Sequence, residues 1–353
     1  MPPSVIKVNC FWIYTSICLC CSQARVNIPR NGSVPALMAF GDSFMDSGNN
    51  NALITVNKAN FPPYGRDFMG GKPTGRFSNG KTIPDMIAER LGVKDYLPAY
   101  LDPSIQDNEL PTGTSFASGG SGYDPLTSKI ANVIPLSDQL DMFKEYIGKL
   151  KRIVGEEEAN NIIEKSLYLV SWSSNDWAIT YDAVPIRRLH YDVPAYSNLL
   201  VNMATNFTQE IYKLGARRIA FFGTPSIGCF PFARTIGGGI LRMCGDKFNE
   251  EAEFFNSMLK NQIQVLGNSL SLSRITYIDY YKLVQQIIEN PQQYGFDVVD
   301  RGCCGTGVAE VAILCNKFSP TCPDDSKFLF WDSGHLTEKG YSIVVDHALP
   351  DLV

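Results

Sequence analysis

What most restricts the fold of this chain is a rhythm. Short apolar runs of strand length, Ala36–Phe40, Leu167–Trp172, Arg218–Phe222 and Ile275–Tyr280, are set apart by stretches whose apolar residues recur at helical steps. A helix is expected over Ile83–Leu91, ended by Gly92, and a longer one from Ser137 through Leu150 to Val154. Others carry the stripes Leu200–Leu214 and Ala252–Leu266, and Tyr341, Val344, Val345, Ala348 and Leu349 mark a closing helix. Strands joined through helices pair in parallel by right-handed crossovers, so the expected fold is α/β, a three-layer α/β/α sandwich around a mostly parallel sheet. No composition shift, linker or internal repeat divides the chain, and residues 25–353 read as a single domain.

With 353 residues, 44% hydrophobic and 19% charged, the chain can bury a sizeable core. The net charge of −5 shows no basic excess and argues against a nucleic-acid partner. Near the start, Lys7 precedes an apolar run, Cys10–Cys21, and then the small residues of Ser22-Gln23-Ala24. That pattern reads as a cleaved secretory signal over residues 1–24; a buried N-terminal element or an acylated cysteine run are the alternatives. The run is too short to span a bilayer, and no second run of membrane length follows. The expected location is therefore extracellular.

Cysteine usage agrees. Of ten cysteines, four (Cys10, Cys18, Cys20, Cys21) leave with the signal, and Cys229, Cys244, Cys303, Cys304, Cys315 and Cys322 remain. An even number in a secreted chain suggests disulfides. A Cys229–Cys244 bridge would close a loop of about 15 residues, worth about 3 kcal/mol. The last four cysteines allow three pairings, and zinc is the rival reading, although paired C-x-x-C hooks are missing. Secretion also permits glycosylation at Asn31 and Asn206, the latter aligned with Asn198 and Asn202 on one helix face.

The first apolar run ends in Gly41-Asp42-Ser43, within A-L-M-A-F-G-D-S-F-M-D-S-G-N-N-N. This leaves the Ser43 hydroxyl at a strand's carboxyl end, the edge where open α/β sheets bind ligands. A Gly-Asp-Ser turn alone is more often a helix cap than a nucleophile. Phe61–Lys81, rich in Gly and Pro, has the makings of a cleft wall. Thr112–Asp124, with glycines at 119, 120 and 122, is either a flexible loop or a close approach to ligand.

A serine hydroxyl needs a base, and the chain has three histidines. His347 lies off the apolar stripe of the last helix, and His190 has no partner at a telling spacing. His335 follows Asp332 by three residues in D-S-G-H, a spacing that lets the carboxylate hold the imidazole's tautomer. Taken alone, Asp332 could be a helix cap. Backbone N–H groups of Ser43 and Gly119 and the Asn175 amide are available as oxyanion donors, with a turn glycine and a cap as their bland readings.

Together, F-G-D-S-F-M-D-S-G-N-N-N, N-F-P-P-Y-G-R-D-F, P-T-G-R-F-S-N-G-K, S-F-A-S-G-G-S-G, S-S-N-D, G-C-C-G-T-G and F-W-D-S-G-H resemble the plant GDSL esterase/lipases of the SGNH hydrolase superfamily. The resemblance covers nearly the whole mature chain. It implies a flavodoxin-like sheet, no metal or organic cofactor, and a small-molecule ester or lipid substrate. It also implies Ser43 as nucleophile and oxyanion donor, Gly119 and Asn175 as further donors, and His335 with Asp332 as the base pair. The closest-looking branch is the secreted extracellular-lipase one. Two departures stand out: Ser173 replaces the family's usual glycine two residues before Asn175, and Gly334 and Leu336 replace the aromatic and proline beside His335. The first threatens the Asn175 amide with a shift; the second loosens the segment that carries His335. Hydrolysis through an acyl-enzyme leads. Acyl transfer to an alcohol and a non-catalytic lipid or glycan binder are its rivals, and oligomeric state is not readable.

Overall fold

Alternation along the central strands explains the layers. The structure, a computed structural model, describes residues 34–311 and 315–352. The chain runs β1 (Leu37–Gly41), α1 (Ile83–Arg90), β2 (Gly113–Ser115), α2 (Pro125–Ala131), α3 (Leu136–Val154), α4 (Glu156–Lys165) and β3 (Leu167–Ser171). It continues with α5 (Val193–Lys213), β4 (Arg218–Phe222), α6 (Pro231–Gly237), α7 (Asp246–Ser269), β5 (Arg274–Ile278) and α8 (Tyr280–Glu289). It closes with β6 (Val298–Gly302), β7 (Phe328–Phe330) and α9 (Glu338–Leu352).

The five-stranded sheet has the order β2-β1-β3-β4-β5, and every pairing in it is parallel. This is the flavodoxin-like order, whose switch point lies between β1 and β3. There Leu37 pairs with Leu167 and Gly41 with Ser171. Successive side chains of a strand face opposite ways. Met38, Phe40, Tyr168, Val170, Ile219 and Phe221 enter one core with α3, α4, α5 and α7. Leu37, Ala39, Leu169, Ala220, Phe222 and Ile278 enter the other with α1, α8 and α9. The expected sandwich is the observed one.

Several expected elements have close counterparts, among them β4 over Arg218–Phe222 and α1 over Ile83–Arg90. Others were not anticipated. The first residues of the glycine-rich Thr112–Asp124 stretch form the edge strand β2, too short to show alternation. Beyond β5, the last of the strand-length runs expected above, β6 and β7 make a small parallel pair. The adjacent charges Asp300 and Arg301 within β6, Val298–Gly302, hid it. Asp176–Ala183 forms a π-helical turn directly after Asn175.

Three disulfides join Cys229 to Cys244, Cys303 to Cys322 and Cys304 to Cys315, which selects one of the three open pairings. Asn198, Asn202 and Asn206 lie exposed on α5, as the spacing requires. The expected leader over residues 1–24 and the expected glycosylation site Asn31 lie outside the described residues. Among those described, no helix is long and apolar enough to cross a membrane.

Candidate active site

Gly41 closes β1 at φ +150°, and a Cβ there would meet Ser171 O at 2.3 Å, so only glycine passes. The chain then turns. Asp42 N–H donates to Ser171 O, while Met45 and Asp46 N–H return to Asp42 O. This turn sets Ser43 at the strand end, and its hydroxyl lies 2.7 Å from His335 Nε2, across 292 residues of sequence. His335 Nδ1 sits 2.8 and 2.9 Å from the two oxygens of Asp332. All three expected residues are therefore brought into one array. His190 and His347 are exposed elsewhere.

Asp332 is buried and held from two further directions. Gly334 N–H donates to Oδ1 at 2.8 Å and the Tyr64 hydroxyl to Oδ2 at 2.6 Å. Burial alone would raise its pKa; the His335 imidazole, with the His335, Tyr64 and Gly334 hydrogen bonds, reverses this and holds the carboxyl below its ordinary range. Tyr64 lies in F-P-P-Y-G, which the sequence suggested only as a wall. The hydroxyl's target, 268 residues away, has no local sequence signal.

The remaining donors are placed by the tail of the first motif. Asp46 accepts from Gly48 and Asn49 N–H and, through Oδ2, from Gly119 N–H at 2.8 Å. Asn49 bonds to the carbonyls of Ser115 and Ala117, and Asn50 to that of Gly119. Thus D-S-G-N-N is the clamp that holds the glycine loop beside β1. It also uses up the Gly119 N–H, which the sequence reading offered to an oxyanion. The adjacent Gly120 (φ +88°) lines the cleft. Neither its N–H nor that of Ser43 has an acceptor among the described residues. Asn175 Nδ2 is fixed by Ser121 O at 3.0 Å and reaches Asp42 Oδ2 at 3.4 Å.

The departures from the family pattern acquire a structural meaning. Ser173 sits at φ +103°, a region that favours glycine, and its hydroxyl bonds to Thr224, away from Asn175. The expected loosening at Gly334 meets a segment pinned on both sides. Trp331 N–H donates to His335 O, and Ser78 Oγ to Leu336 O.

Three buried carboxyls surround this machinery. Burial pushes Asp42 up to about 8, Asp176 to about 7 and Asp46 to about 6, their neighbours' N–H groups opposing. The site opens on a cleft of about 740 Å³ lined by Ser43, Gly120, Asn175 and His335 and by many apolar side chains, including Phe44, Phe230, Phe232 and Phe248.

A hydroxyl, an imidazole and a carboxylate in line, with N–H donors beside the hydroxyl, form the constellation that acyl-transfer chemistry requires. The sequence profile of the GDSL-like Lipase/Acylhydrolase family matches residues 37–348. One Arabidopsis thaliana GDSL esterase/lipase is 50% identical over 332 residues, covering 94% of this chain and 89% of that one. Another from the same plant is 47% identical, covering 96% and 94%. A crystal structure of a lipase from a goat rumen metagenome aligns with 89% of this chain and 96% of its own at 13% identity, with a TM-score of 0.37. The chain belongs to the GDSL lipase/acylhydrolase family, among its plant GDSL esterase/lipases, and is a carboxylic-ester hydrolase.

Proposed function

We propose that hydrolysis runs through an acyl-enzyme on Ser43. Ser43 Oγ attacks the ester carbonyl carbon while its proton passes to His335 Nε2. The resulting oxyanion is met by the Ser43 and Gly120 N–H groups and by the Asn175 amide, one N–H of which is held by Ser121 O while the other leaves its long 3.4 Å contact with Asp42 to reach the oxyanion. Gly120 takes the place first expected of Gly119, because the Gly119 N–H is bonded to Asp46. Collapse breaks the ester C–O bond, and His335 returns the proton to the departing alcohol. Water then repeats the attack with His335 as base, releasing the acid and restoring Ser43. Asp332 stays ionised throughout and holds the imidazole's orientation.

The 2.7 Å approach of Ser43 to His335 carries this reading. A fluorophosphonate probe should label Ser43 and block turnover of nitrophenyl esters, while Ser43→Ala is inert to both. Equal turnover by the variant would remove Ser43 from the mechanism. The volume and apolar lining of the cleft support esters with a substantial acyl chain. The signal-like sequence of residues 1–24, three disulfides and the exposed Asn206 sequon support action outside the cell.

A further inference from the structure

Two walls of the cleft leave His335, and they differ in chemistry. The His335 ring meets Phe44 at 6.0 Å and Phe77 at 4.8 Å. From Phe44 the surface runs through Phe230 and Phe232 to Phe248, apolar throughout. From Phe77 it runs through Tyr64 to Phe61 and then to Thr55, Asn57, Lys58 and Asn60, polar residues that line the same cleft. An ester laid across Ser43 therefore has an apolar side for one of its parts and a polar side for the other.

Lys58 is the charged group on the polar wall. Of the other cations lining the cleft, Arg188 and Lys247 share Asp182, and Lys247 also lies 3.2 Å from Glu251. One carboxylate between two cations leaves nothing to spare for Lys58. Half-buried, Lys58 has no carboxylate partner among the described residues; its Nζ donates to Asn51 O at 3.2 Å, a carbonyl that Asn60 Nδ2 also approaches at 3.5 Å. Residues 1–33 and 312–314 contain no Asp or Glu that could supply one. The two other acids of the lining are occupied, Asp332 by His335 and Asp42 by its own proton, because burial pushes it up to about 8.

The backbone around this lysine is fixed. Lys58 N–H donates to Val56 O, Asn57 O accepts from Asn50 Nδ2 at 2.8 Å, and Ala59 O accepts from Gly75 N–H. The same Asn50 Nδ2 holds Gly119 O, so the loops that carry Lys58 and Gly120 are pinned to one side chain. Asn57 stands against Gly120 so closely that a Cβ there would meet Asn57 Cγ at 2.9 Å. Lys58 is thus held one residue from the group packed on the proposed oxyanion donor, and its flexible four-carbon stem carries the ammonium into the cleft wall.

We propose that Lys58 determines specificity, and that the preferred substrates are esters whose alcohol part carries a carboxylate or phosphate group, held by the Lys58 ammonium while the acyl chain follows the aromatic wall. Turnover of such an ester rests on the proposed mechanism at Ser43; the ion pair does not. An anion at this place gives Lys58 a charge-assisted bond in exchange for one carbonyl contact, and Asn60 stays beside the Asn51 carbonyl that Lys58 leaves.

The test uses the full chain and dissolved phenyl butanoates that differ in one para group: carboxamide, carboxylate or phosphate. The readout is the ratio of kcat/KM for each anionic ester to that for the neutral carboxamide, so a general change in activity cancels. The parent's ratio should exceed that of Lys58→Met by roughly five- to tenfold, most of it in KM. Lys58→Arg should restore the preference and Lys58→Glu should lower it below that of Lys58→Met; the larger of the two anionic ratios identifies the group. Raising salt should lower the parent's ratio by a similar factor, a measurement that needs no variant to fold. Equal ratios in the parent and Lys58→Met, or a parent ratio that salt leaves unmoved, overturn the proposal, while hydrolysis of the neutral ester keeps the mechanism at Ser43. Should the parent turn over none of the esters, that mechanism fails, and calorimetry of the carboxylate ester with Ser43→Ala and Ser43→Ala/Lys58→Met decides the rest. Equal binding then overturns the Lys58 site, and weaker binding by the double variant upholds it.

Discussion

Replacing Tyr64 with phenylalanine removes one oxygen and keeps the ring that packs against Phe61, Phe77 and Trp331. What is lost is a 2.6 Å hydrogen bond to Asp332 Oδ2, made where neither partner meets solvent. Burial and the Asp332 charge keep the phenol protonated, so it acts only as a donor. A hydrogen bond to a charged group is worth about 1.5–3 kcal/mol, and a buried acceptor left unpaired costs a similar amount. At about 1.4 kcal/mol per decade of rate, the ceiling on the loss of kcat/KM is about 10- to 100-fold. Part of that energy will instead appear as lost stability. The Tyr64 bond is one of the contacts that hold the Asp332 carboxyl below its ordinary range, so its removal raises that pKa, and the loss of activity that follows from protonating Asp332 at the acidic end of the profile sets in at a higher pH. The assay is the pH dependence of kcat and kcat/KM on a dissolved nitrophenyl ester, with thermal unfolding alongside. The expected result is a lower kcat, a KM within about twofold, and a displaced acidic limb. A variant that loses only stability, with kcat and limb unmoved, would show that the hydroxyl supports the fold and not the imidazole's orientation.

Asp42→Asn supplies the uncharged isostere of a carboxyl held near 8 in the fold against 3.8 for an ordinary aspartate. Between those values the folded state keeps a proton that the unfolded chain gives up, so the parent loses stability as pH rises through this window, by up to about 1.4 kcal/mol per pH unit for each such group. The variant's melting temperature relative to the parent's should therefore climb from pH 5 to pH 8, and a constant difference would contradict the buried acid. Ser173→Gly relieves a positive-φ side chain, worth about 1–2 kcal/mol, but gives up the Thr224 hydrogen bond and adds glycine's backbone entropy, about 1 kcal/mol each. Urea unfolding should change by less than about 1 kcal/mol, and a loss above about 2 kcal/mol would mean that the serine is structurally required. Replacing Cys229 and Cys244 together with alanine should cost about 3 kcal/mol for the 15-residue separation they bridge; an unchanged unfolding midpoint under oxidising conditions would show that the bridge contributes nothing.

The strands β1, β3, β4 and β5 were legible because each is a short, mostly apolar run between helical stripes, a pattern that local sequence displays. β2 and β6 were not: three residues cannot show a period, and a strand carrying Asp300 and Arg301 does not look apolar. Ser43, Asp332 and His335 were readable for a different reason. Histidine is scarce here and serine catalysis needs one, so elimination plus the three-residue spacing to Asp332 left a single pairing. Tyr64 could not be found that way, because tyrosine is common and its contact with Asp332 exists only in three dimensions.

The proposed exchange of Gly119 for Gly120 shows where motif reading gives out. A motif records which residue types stand in a loop, whereas an oxyanion donor is defined by an N–H that nothing else has claimed. In this fold the claim is made by Asp46, three residues beyond Ser43, which bonds Gly48, Asn49 and Gly119 with its two oxygens. A carboxylate so placed fixes the loop while leaving the next N–H, that of Gly120, at the cleft. The long polar tail of the first motif follows from this geometry. Ser43 needs only the turn at Gly41 to be presented, but the Gly120 N–H proposed to face it lies on a separate loop, more than seventy residues on, and has to be tied to that turn. Asp46, Asn49 and Asn50 are the ties, and each meets backbone instead of substrate.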